Sequence, residues 1–590
     1  MTTPRLPALA RIWGRPREGG GAHAGSALID LVIVVGLAGL LYGLSKVGGE
    51  WTGELRPTVD IDLSPLALPR YTFFSFSRGL FAYLLSLGFS LVYGYWAAKD
   101  RVAERVLVPL LDVLQSIPVL GFMPGLVLAL VAIFPRSNVG LEMAAVLMMF
   151  TAQAWNMTFS FYHSLRAVPR EQIEVATLYR FGWWRTLRRV ELPFATTGLV
   201  WNSMMSVAGG WFFLMINEAF VLGDKDFRLP GLGSYMSVAA ARGDTRAMLF
   251  AIVAMIAMIV VLDQLVFRPL VVWAQKFRVE EGGHQEAMSS WFYDVLRRSS
   301  LRSVIGRGLR GARALVTPRA GARPTASTLA VAPDAAAEPR AAPVIFSRVF
   351  FAALVIALGY GTLHLLHLFS AVAPSTWLSL GGNGLRTLGR VVVATVVGTL
   401  WALPAGIAVG LSPRLSRVVQ PVAQVLASFP APMLFPAVIA VLHAAHVKLD
   451  WGSIVLMLLG TQWYIFFNVI AGAVAVPADL REAAQSYHFN LWQRLRAVYL
   501  PAVFPYLVTG WVTAAGGAWN ASIVAEYVTF KTEVLTAPGL GAAISEAASN
   551  ADLPRLAAAV TVMSVIVVIF NRLVWHNCYR LAEERFSLDK

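Results

Sequence analysis

The polar side chains set inside long apolar stretches are the chemistry this 590-residue chain has to offer. Gln115, Ser116 and Pro118 interrupt one apolar stretch, and Gln424, Ser428 and Pro430 interrupt another. Gln153 and Asn156 lie in a later stretch, and so do Gln462 and Asn468. Asn202, Asn217 and Glu218, and in turn Asn520 and Glu526, lie in the stretches that follow. A polar group at membrane depth is costly and faces a cavity or another helix. A proline there frees carbonyls that line a cavity or are buried in protein. Such groups suit holding and passing a solute. No nucleophile, acid/base pair or metal cluster of the kind bond chemistry needs is evident in the stretches. The competing reading is structural, with the amides as interhelical hydrogen bonds and the prolines as packing kinks.

The charged residues offer less. Glu218 and Glu526 stand near the outer ends of their stretches, where they face water or hold a gate. Each is followed by the same turn, Pro230-Gly231-Leu232-Gly233 and Pro538-Gly539-Leu540-Gly541. The glycines Gly231, Gly233, Gly539 and Gly541 are expected to shape a periplasmic gate or a docking surface. Arg78 and Arg390 either steer an anion or snorkel to lipid phosphates. His364/His367 and His443/His446 each share a helix face, but no carboxylate is near them in sequence. No metal site is expected.

The elements that position these groups are membrane spans. Hydrophobic residues make up 57% of the chain and charged residues 14%, and the mean hydropathy is +0.61. A soluble chain carries about 25% charge, so a disordered protein or a soluble multidomain enzyme is excluded. The single cysteine, Cys578, excludes a disulfide scaffold. A spanning helix needs about 20 apolar residues. Twelve stretches qualify, near 27–46, 72–98, 105–133, 140–165, 194–220, 247–268, 346–369, 386–411, 417–443, 452–475, 502–525 and 556–577. Basic residues recur in alternate loops, among them Arg101 and Arg105, Arg185 to Arg189, Arg414 and Arg417, and Arg494 and Arg496. By the positive-inside rule these loops and both termini are cytoplasmic. The net charge of +15 then belongs to loops facing membrane lipids and implies no nucleic acid. The expected place is a bacterial cytoplasmic (inner) membrane, crossed many times.

The chain is an internal duplication. Arg78 and Arg390, Ser116 and Ser428, and Pro118 and Pro430 are each 312 apart. Further on the offset is 308, matching Glu174 with Glu482, Trp184 with Trp492, Leu192-Pro193 with Leu500-Pro501, and Glu218 with Glu526. One four-residue gap explains both offsets. The expected organisation is a cytoplasmic segment 1–26, a six-span unit 27–275, a basic linker 276–345, a second six-span unit 346–577 and a tail 578–590. The fold class is an all-α integral membrane protein, two tandem units related by a pseudo-twofold axis along the membrane normal. The first part of the linker, rich in arginines from Arg297 to Arg323, is expected to form a basic amphipathic helix on the inner leaflet and its second part a flexible tether; the alternative is a purely disordered linker.

The loop before the fifth stretch of each unit is the most specific feature. It runs from Glu174 through Val175-Ala176 and Trp184 to Leu192-Pro193, and from Glu482 through Ala483-Ala484 and Trp492 to Leu500-Pro501. It resembles the Glu-Ala-Ala loop of ATP-binding-cassette importer permeases, and the tryptophans resemble the nitrate/sulfonate/taurine branch. A fused pair resembles the duplicated anion-type permeases. The family glycine is replaced by Arg180 and His488, which makes a left-handed turn there costlier. Val175 stands where the first alanine belongs, so the two loops are expected to grip their partner unequally.

The resemblance implies two ABC ATPase subunits on the cytoplasmic side, bound through these loops. It also implies a separate periplasmic or lipid-anchored solute-binding protein and a small-anion substrate such as nitrate, a sulfonate, taurine or bicarbonate. No phosphate-binding Gly-x-x-x-x-Gly-Lys-Ser/Thr loop is present. The chain is therefore not expected to be an enzyme or to bind a cofactor, ATP and Mg belonging to the partner ATPase. The alternative is a secondary transporter of the major-facilitator kind, also built from six plus six spans.

Overall fold

The computed structural model describes residues 23–56, 58–222, 225–277, 290–298, 341–530 and 533–586. They fall into two bodies, one of residues 1–46 and 286–336, the other of residues 47–285 and 337–590. The basic residues from Arg302 to Arg323 lie outside the described residues.

Helix α1 (His23–Thr52) is apolar and largely exposed. Helix α2 (Leu68–Lys99) buries a stripe of small residues that includes Gly79, Ala82, Ser86, Ser90 and Gly94. Such a stripe lets backbones approach closely. Asp100 then caps α3 (Arg101–Ser116) by accepting from the N–H groups of Val102 and Ala103. Ile117 is extended and Pro118 precedes α4 (Val119–Ile133). The residue before a proline is driven out of the helical region, so the stretch 105–133 is two helices rather than one span. Helix α5 (Val139–Arg166) packs its Thr158 and Phe161 onto Ser90 and Gly94 of α2.

Two short helices follow, α6 (Arg170–Leu178) and α7 (Trp183–Thr186). A π-turn, Leu187–Glu191, leads into α8 (Leu192–Asn217). Pro193 lacks an N–H and its ring crowds the carbonyl four residues back. The wider π-turn just before it relieves that clash. A hairpin of β1 (Ala219–Leu222) and β2 (Lys225–Arg228) pairs antiparallel with Phe220 opposite Phe227. Helices α9 (Leu232–Arg242), α10 (Thr245–Leu262) and α11 (Arg268–Ala274) complete the first copy. The eight-residue α12 (Trp291–Arg298) holds Arg297 and Arg298 of the linker.

The second copy repeats this. It comprises α13 (Ala341–Phe369), α14 (Pro374–Leu411) and α15 (Pro413–Ser428), then a 3₁₀ turn and α16 (Phe435–Ala444). It continues with α17 (Leu449–Val474), α18 (Ala478–Ser486), α19 (Leu491–Arg494), a π-turn at Leu495–Tyr499 and α20 (Leu500–Ala525). A second hairpin, β3 (Tyr527–Phe530) with β4 (Glu533–Thr536), precedes α21 (Leu540–Ser549), α22 (Leu553–Phe570) and α23 (His576–Phe586).

Two expectations are met in part. The fold is helical but not purely so, because each copy inserts a β-hairpin at the end of its α8 or α20. Among the described residues, eight helices are long and apolar enough to cross a membrane, or nine if Pro413–Ser428 and Ala431–Ala444 count as one broken span, bent by 82°. The difference from twelve has physical causes. Pro118 and Pro430 break the third stretch of each copy. Helix α4 is short. Helix α5 misses the apolar standard, with Glu142 in its first turn and Gln153 and Asn156 within it.

Candidate functional site

The conserved spacing of the two copies builds the same buried ion cluster twice. In the first, Arg78 of α2 bridges two carboxylates. Its Nε and Nη2 donate to Glu142 of α5 at 2.6 and 2.7 Å, and its Nη1 donates to Glu218 at the end of α8 at 2.6 Å. Nη1 also donates to the carbonyl of Pro230 at 2.9 Å. Ser75 donates to Glu218 and accepts from the N–H of Leu232. The N–H of Gly233 donates to the far oxygen of Glu218 at 2.6 Å. In the second copy Arg390 donates to Glu526 at 2.7 Å, to Asp450 at 2.8 Å and to the Pro538 carbonyl at 3.1 Å. Thr387 takes the place of Ser75, donating to Glu526 and accepting from Leu540, while Gly541 donates to Glu526 at 2.8 Å.

This geometry explains the Pro-Gly-Leu-Gly turn. Gly231 and Gly539 are extended, so their backbone shape needs no glycine. A Cβ on either would fall on the Glu218 or Glu526 carboxylate, and one on Gly233 would come within 2.9 Å of Glu218. The glycines let the backbone lie on the acid. The sequence readings are corrected here. Glu218 and Glu526 are fully buried and face no water, and Arg78 and Arg390 are ion-paired rather than free for an anion or for lipid. The four glycines are buried too, so they offer a partner no surface. Reasoning from sequence missed Ser75, Glu142, Thr387 and Asp450. Their signal was the shared offset, 312 for Ser75 and Thr387 and 308 for Glu142 and Asp450.

The copies are not equal. Glu142 is 0% exposed and grips Arg78 with both oxygens, whereas Asp450 is 50% exposed and gives Arg390 one. The side chain shorter by one methylene holds less.

The amides divide between the two sequence readings. Several bridge helices. Trp401 donates to Gln462 at 3.0 Å, Asn202 donates to Ser160 at 3.0 Å, and Asn217 reaches the Ala145 carbonyl at 3.5 Å. Asn468 bonds back within its own helix, to the Tyr464 carbonyl. Asn520 crosses between the copies, accepting from the N–H of Val119 at 2.7 Å. It caps α4, whose preceding Pro118 has no side-chain donor or acceptor to do so. Gln115 donates to Asp112 at 3.2 Å, and Ser116 ends α3. Asn156 is exposed, while Gln153 is fully buried with neither amide atom bonded. Gln424 and Ser428 line a cavity of about 20 Å³ shared with Met204, Trp211 and Asp263 across the two copies, room for one water. Pro430 precedes the turn that bends the second broken pair. His364, His367, His443 and His446 are exposed. No three His, Cys, Asp or Glu among the described residues are grouped to hold a metal.

At the opposite ends of α8 and α20 stand the two loops. Each short helix, α6 and α18, closes with a residue in the left-handed region, Arg180 at φ 50° and His488 at φ 53°. The N–H of Phe181 donates to Ala176 and that of Arg180 to Thr177, while Phe489 and His488 donate to Ala484 and Gln485. This is a Schellman close, made without the glycine that usually permits it. Ala176 and Ala484 are buried beneath it, and Glu174, Glu482 and Ala483 are exposed. The loops present large apolar groups to the outside, Trp184 at 56%, Leu178 at 81% and Tyr179 in one, Trp492 at 66%, Leu491 and Tyr487 in the other. Exposed apolar clusters of this kind mark interaction surfaces. Leu192-Pro193 and Leu500-Pro501 open the long helices above them.

Each copy thus carries a broken helix, a buried arginine–carboxylate cluster and an exposed aromatic loop. The chain belongs to the family of binding-protein-dependent transport system inner membrane components, whose model matches residues 90–268 and again 394–576. Its family and its apolar helices make it a multi-pass inner-membrane component of a transport system. Among curated relatives it is 24% identical over 188 residues to a nitrate import permease protein of Leptolyngbya laminosa, covering 32% of this chain and 64% of that one. It is 28% identical over 144 residues to a bicarbonate transport system permease protein of Synechococcus elongatus, covering 24% and 50%. It is 24% identical over 185 residues to the taurine transport system permease protein of Escherichia coli, covering 31% and 64%. The alignments thus span half to somewhat under two thirds of these relatives. None of these findings supports the secondary-transporter alternative.

Proposed function

We propose that this chain supplies both halves of the solute pathway of an ATP-driven importer for a small anion. The exposed aromatic face that each loop carries, twice and at matched positions, is the observation that supports it. Glu174, Ala176, Trp184, Leu192 and Pro193, with Glu482, Ala483, Ala484, Trp492, Leu500 and Pro501, dock two ABC ATPase subunits. These hold ATP and Mg; this chain holds no cofactor. A separate solute-binding protein loads the other side. The substrate class, a nitrate-, bicarbonate- or taurine-like anion, is argued from the relatives' names.

In this reading the units 27–275 and 346–577 cross the membrane six times each, related by a pseudo-twofold axis, with both termini, the linker 276–345 and the tail 578–590 cytoplasmic. The basic residues beside the loops support the orientation. The broken helices at Gln115-Ser116-Pro118 and at Gln424, Ser428 and Pro430 border the pathway with Gln153, Asn156, Gln462, Asn217 and Asn520. Glu218 and Glu526 serve it indirectly, holding the Pro-Gly-Leu-Gly turns as gate elements. ATP binding and a loaded binding protein each favour one arrangement of the halves over the other, which is what moves the solute.

The test is a pull-down of the tagged full chain from its native host, read by mass spectrometry. Stoichiometric ATPase subunits, lost when Glu174→Arg and Glu482→Arg are combined, are expected. A chain that purifies alone and moves solute on an ion gradient overturns the reading.

A further inference from the structure

Gln153 is 0% exposed, and neither its Nε2 nor its Oε1 has a hydrogen-bond partner. Its amide lies against the bare backbone of Gly210 in α8, where a Cβ would collide with it. Ser206 stands four residues earlier on that helix, on the same face, and its buried hydroxyl is also unpartnered. From the other copy, Tyr464 of α17 brings its hydroxyl to 3.3 Å from where a Cβ on the adjacent Gly209 would stand. Gln153 and Tyr464 thus lie against successive glycines of α8, Ser206 stands one turn before them, and none of the three is charged. An unpaired buried amide or hydroxyl costs about 1–3 kcal/mol, and a protein has no packing reason to keep two together.

The duplication makes the point sharper. The position matching Gln153 is Thr461, whose hydroxyl is satisfied by the Met457 carbonyl at 3.0 Å. Ser206 is matched by Ala514 and Tyr464 by Asn156. The unpartnered amide and hydroxyl occur on one side only, since Thr461 is satisfied, Ala514 is apolar and Asn156 is exposed.

We propose that Gln153, Ser206 and Tyr464 form a transit site that hydrogen-bonds the oxygens of a small oxoanion while it crosses between the two halves. A planar or tetrahedral oxoanion accepts bonds from an amide N–H and two hydroxyls. The lack of a cation keeps its stay short, as passage requires. The site is one-sided, so the anion is held by this set rather than shared equally between the copies.

This rests on the importer reading above, and the experiment separates the two. The full chain, with the ATPase and binding protein that purify with it, is placed in proteoliposomes, and ATP-driven uptake of nitrate, bicarbonate and taurine is measured. Gln153→Leu and Tyr464→Phe are each expected to lower uptake about tenfold, the worth of one hydrogen bond of ~1.4 kcal/mol. The melting temperature of Gln153→Leu is expected to hold or rise, because an unpaired amide is removed. If Gln153→Leu does not fold, Tyr464→Phe, which removes one oxygen, decides alone. Wild-type uptake in the variants that fold overturns the site and leaves the importer reading standing. A wild-type complex that moves none of the three anions overturns the anion reading, and the site with it.

Discussion

The side-chain oxygen of Asn520 accepts a hydrogen bond from the backbone N–H of Val119 at 2.7 Å, 401 residues away and in the other copy. The matching position in the first copy is Phe212, which packs near Gly460 instead. One seam between the copies is therefore closed by a polar cap on a broken helix and the other by an aromatic ring. Asn520→Leu leaves the first N–H of α4 unpaired. A loss of about 1–3 kcal/mol is expected, read by thermal unfolding of the purified chain in detergent. Unchanged unfolding in Asn520→Leu would show that the cap contributes nothing.

The two ion clusters should respond unequally. Removing one partner of a buried, bidentate pair leaves a charge uncompensated and costs about 3–5 kcal/mol. Glu142→Gln is expected to lose that much. Asp450 is half exposed, and solvent screens its attraction to Arg390, so Asp450→Asn is expected to lose about 0–1 kcal/mol. Denaturation midpoints of the two variants, compared side by side, check this. Equal losses contradict it.

Glycines near these clusters separate close approach from backbone shape. A methyl at Gly231 or Gly539 lands on a buried carboxylate, and overpacking of this kind costs about 1–3 kcal/mol or more. Gly243 has φ 67° with open space around it, so Gly243→Ala is expected to cost only the left-handed penalty, about 1–2 kcal/mol. Gly231→Ala and Gly539→Ala should also loosen the turn before α9 or α21, seen as faster amide exchange there. Gly243→Ala should not.

The two docking loops share a backbone close but not their decoration. Asn490 and Gln493 form a capping box on α19, and Gly182 gives α7 no side-chain cap. Ala483 leaves α18 a smoother approach than Val175 leaves α6. Glu482→Arg is therefore expected to reduce transport-linked ATP hydrolysis more than Glu174→Arg. The same hydrolysis measured in both single variants decides it, with equal reductions sinking the idea.

At Arg180 and His488 a side chain sits in the left-handed region, where L-residues other than Asn, Asp and Gly pay about 1–2 kcal/mol. A β-branched residue there is strained further. Arg180→Val and His488→Val are expected to lower the melting temperature, while Arg180→Gly and His488→Gly hold or raise it.

Much of this was legible without coordinates. The apolar excess, the two offsets and the repeated Glu-to-Leu-Pro loop are local or periodic properties, and they identify membrane helices, a duplication and a docking element. Pro118 and Pro430 mark their breaks because the residue before a proline cannot stay helical. Even the left-handed turn at Arg180 and His488 was posed by position, although its persistence without glycine was not.

The pairing of charges was not legible. Arg78 reads as a lone cation in an apolar stretch because its partners are 64 and 140 residues away. Nothing local distinguishes an arginine that reaches lipid from one that meets Glu142 and Glu218. The same holds for Gln153, which looks like any span amide until its neighbours are seen to offer it no bond. Sequence determined the kinds of element and their repetition, because helix period, proline chemistry and charge bias act within a few residues. Only the tertiary structure decided which polar groups are satisfied, because that depends on which helix faces meet.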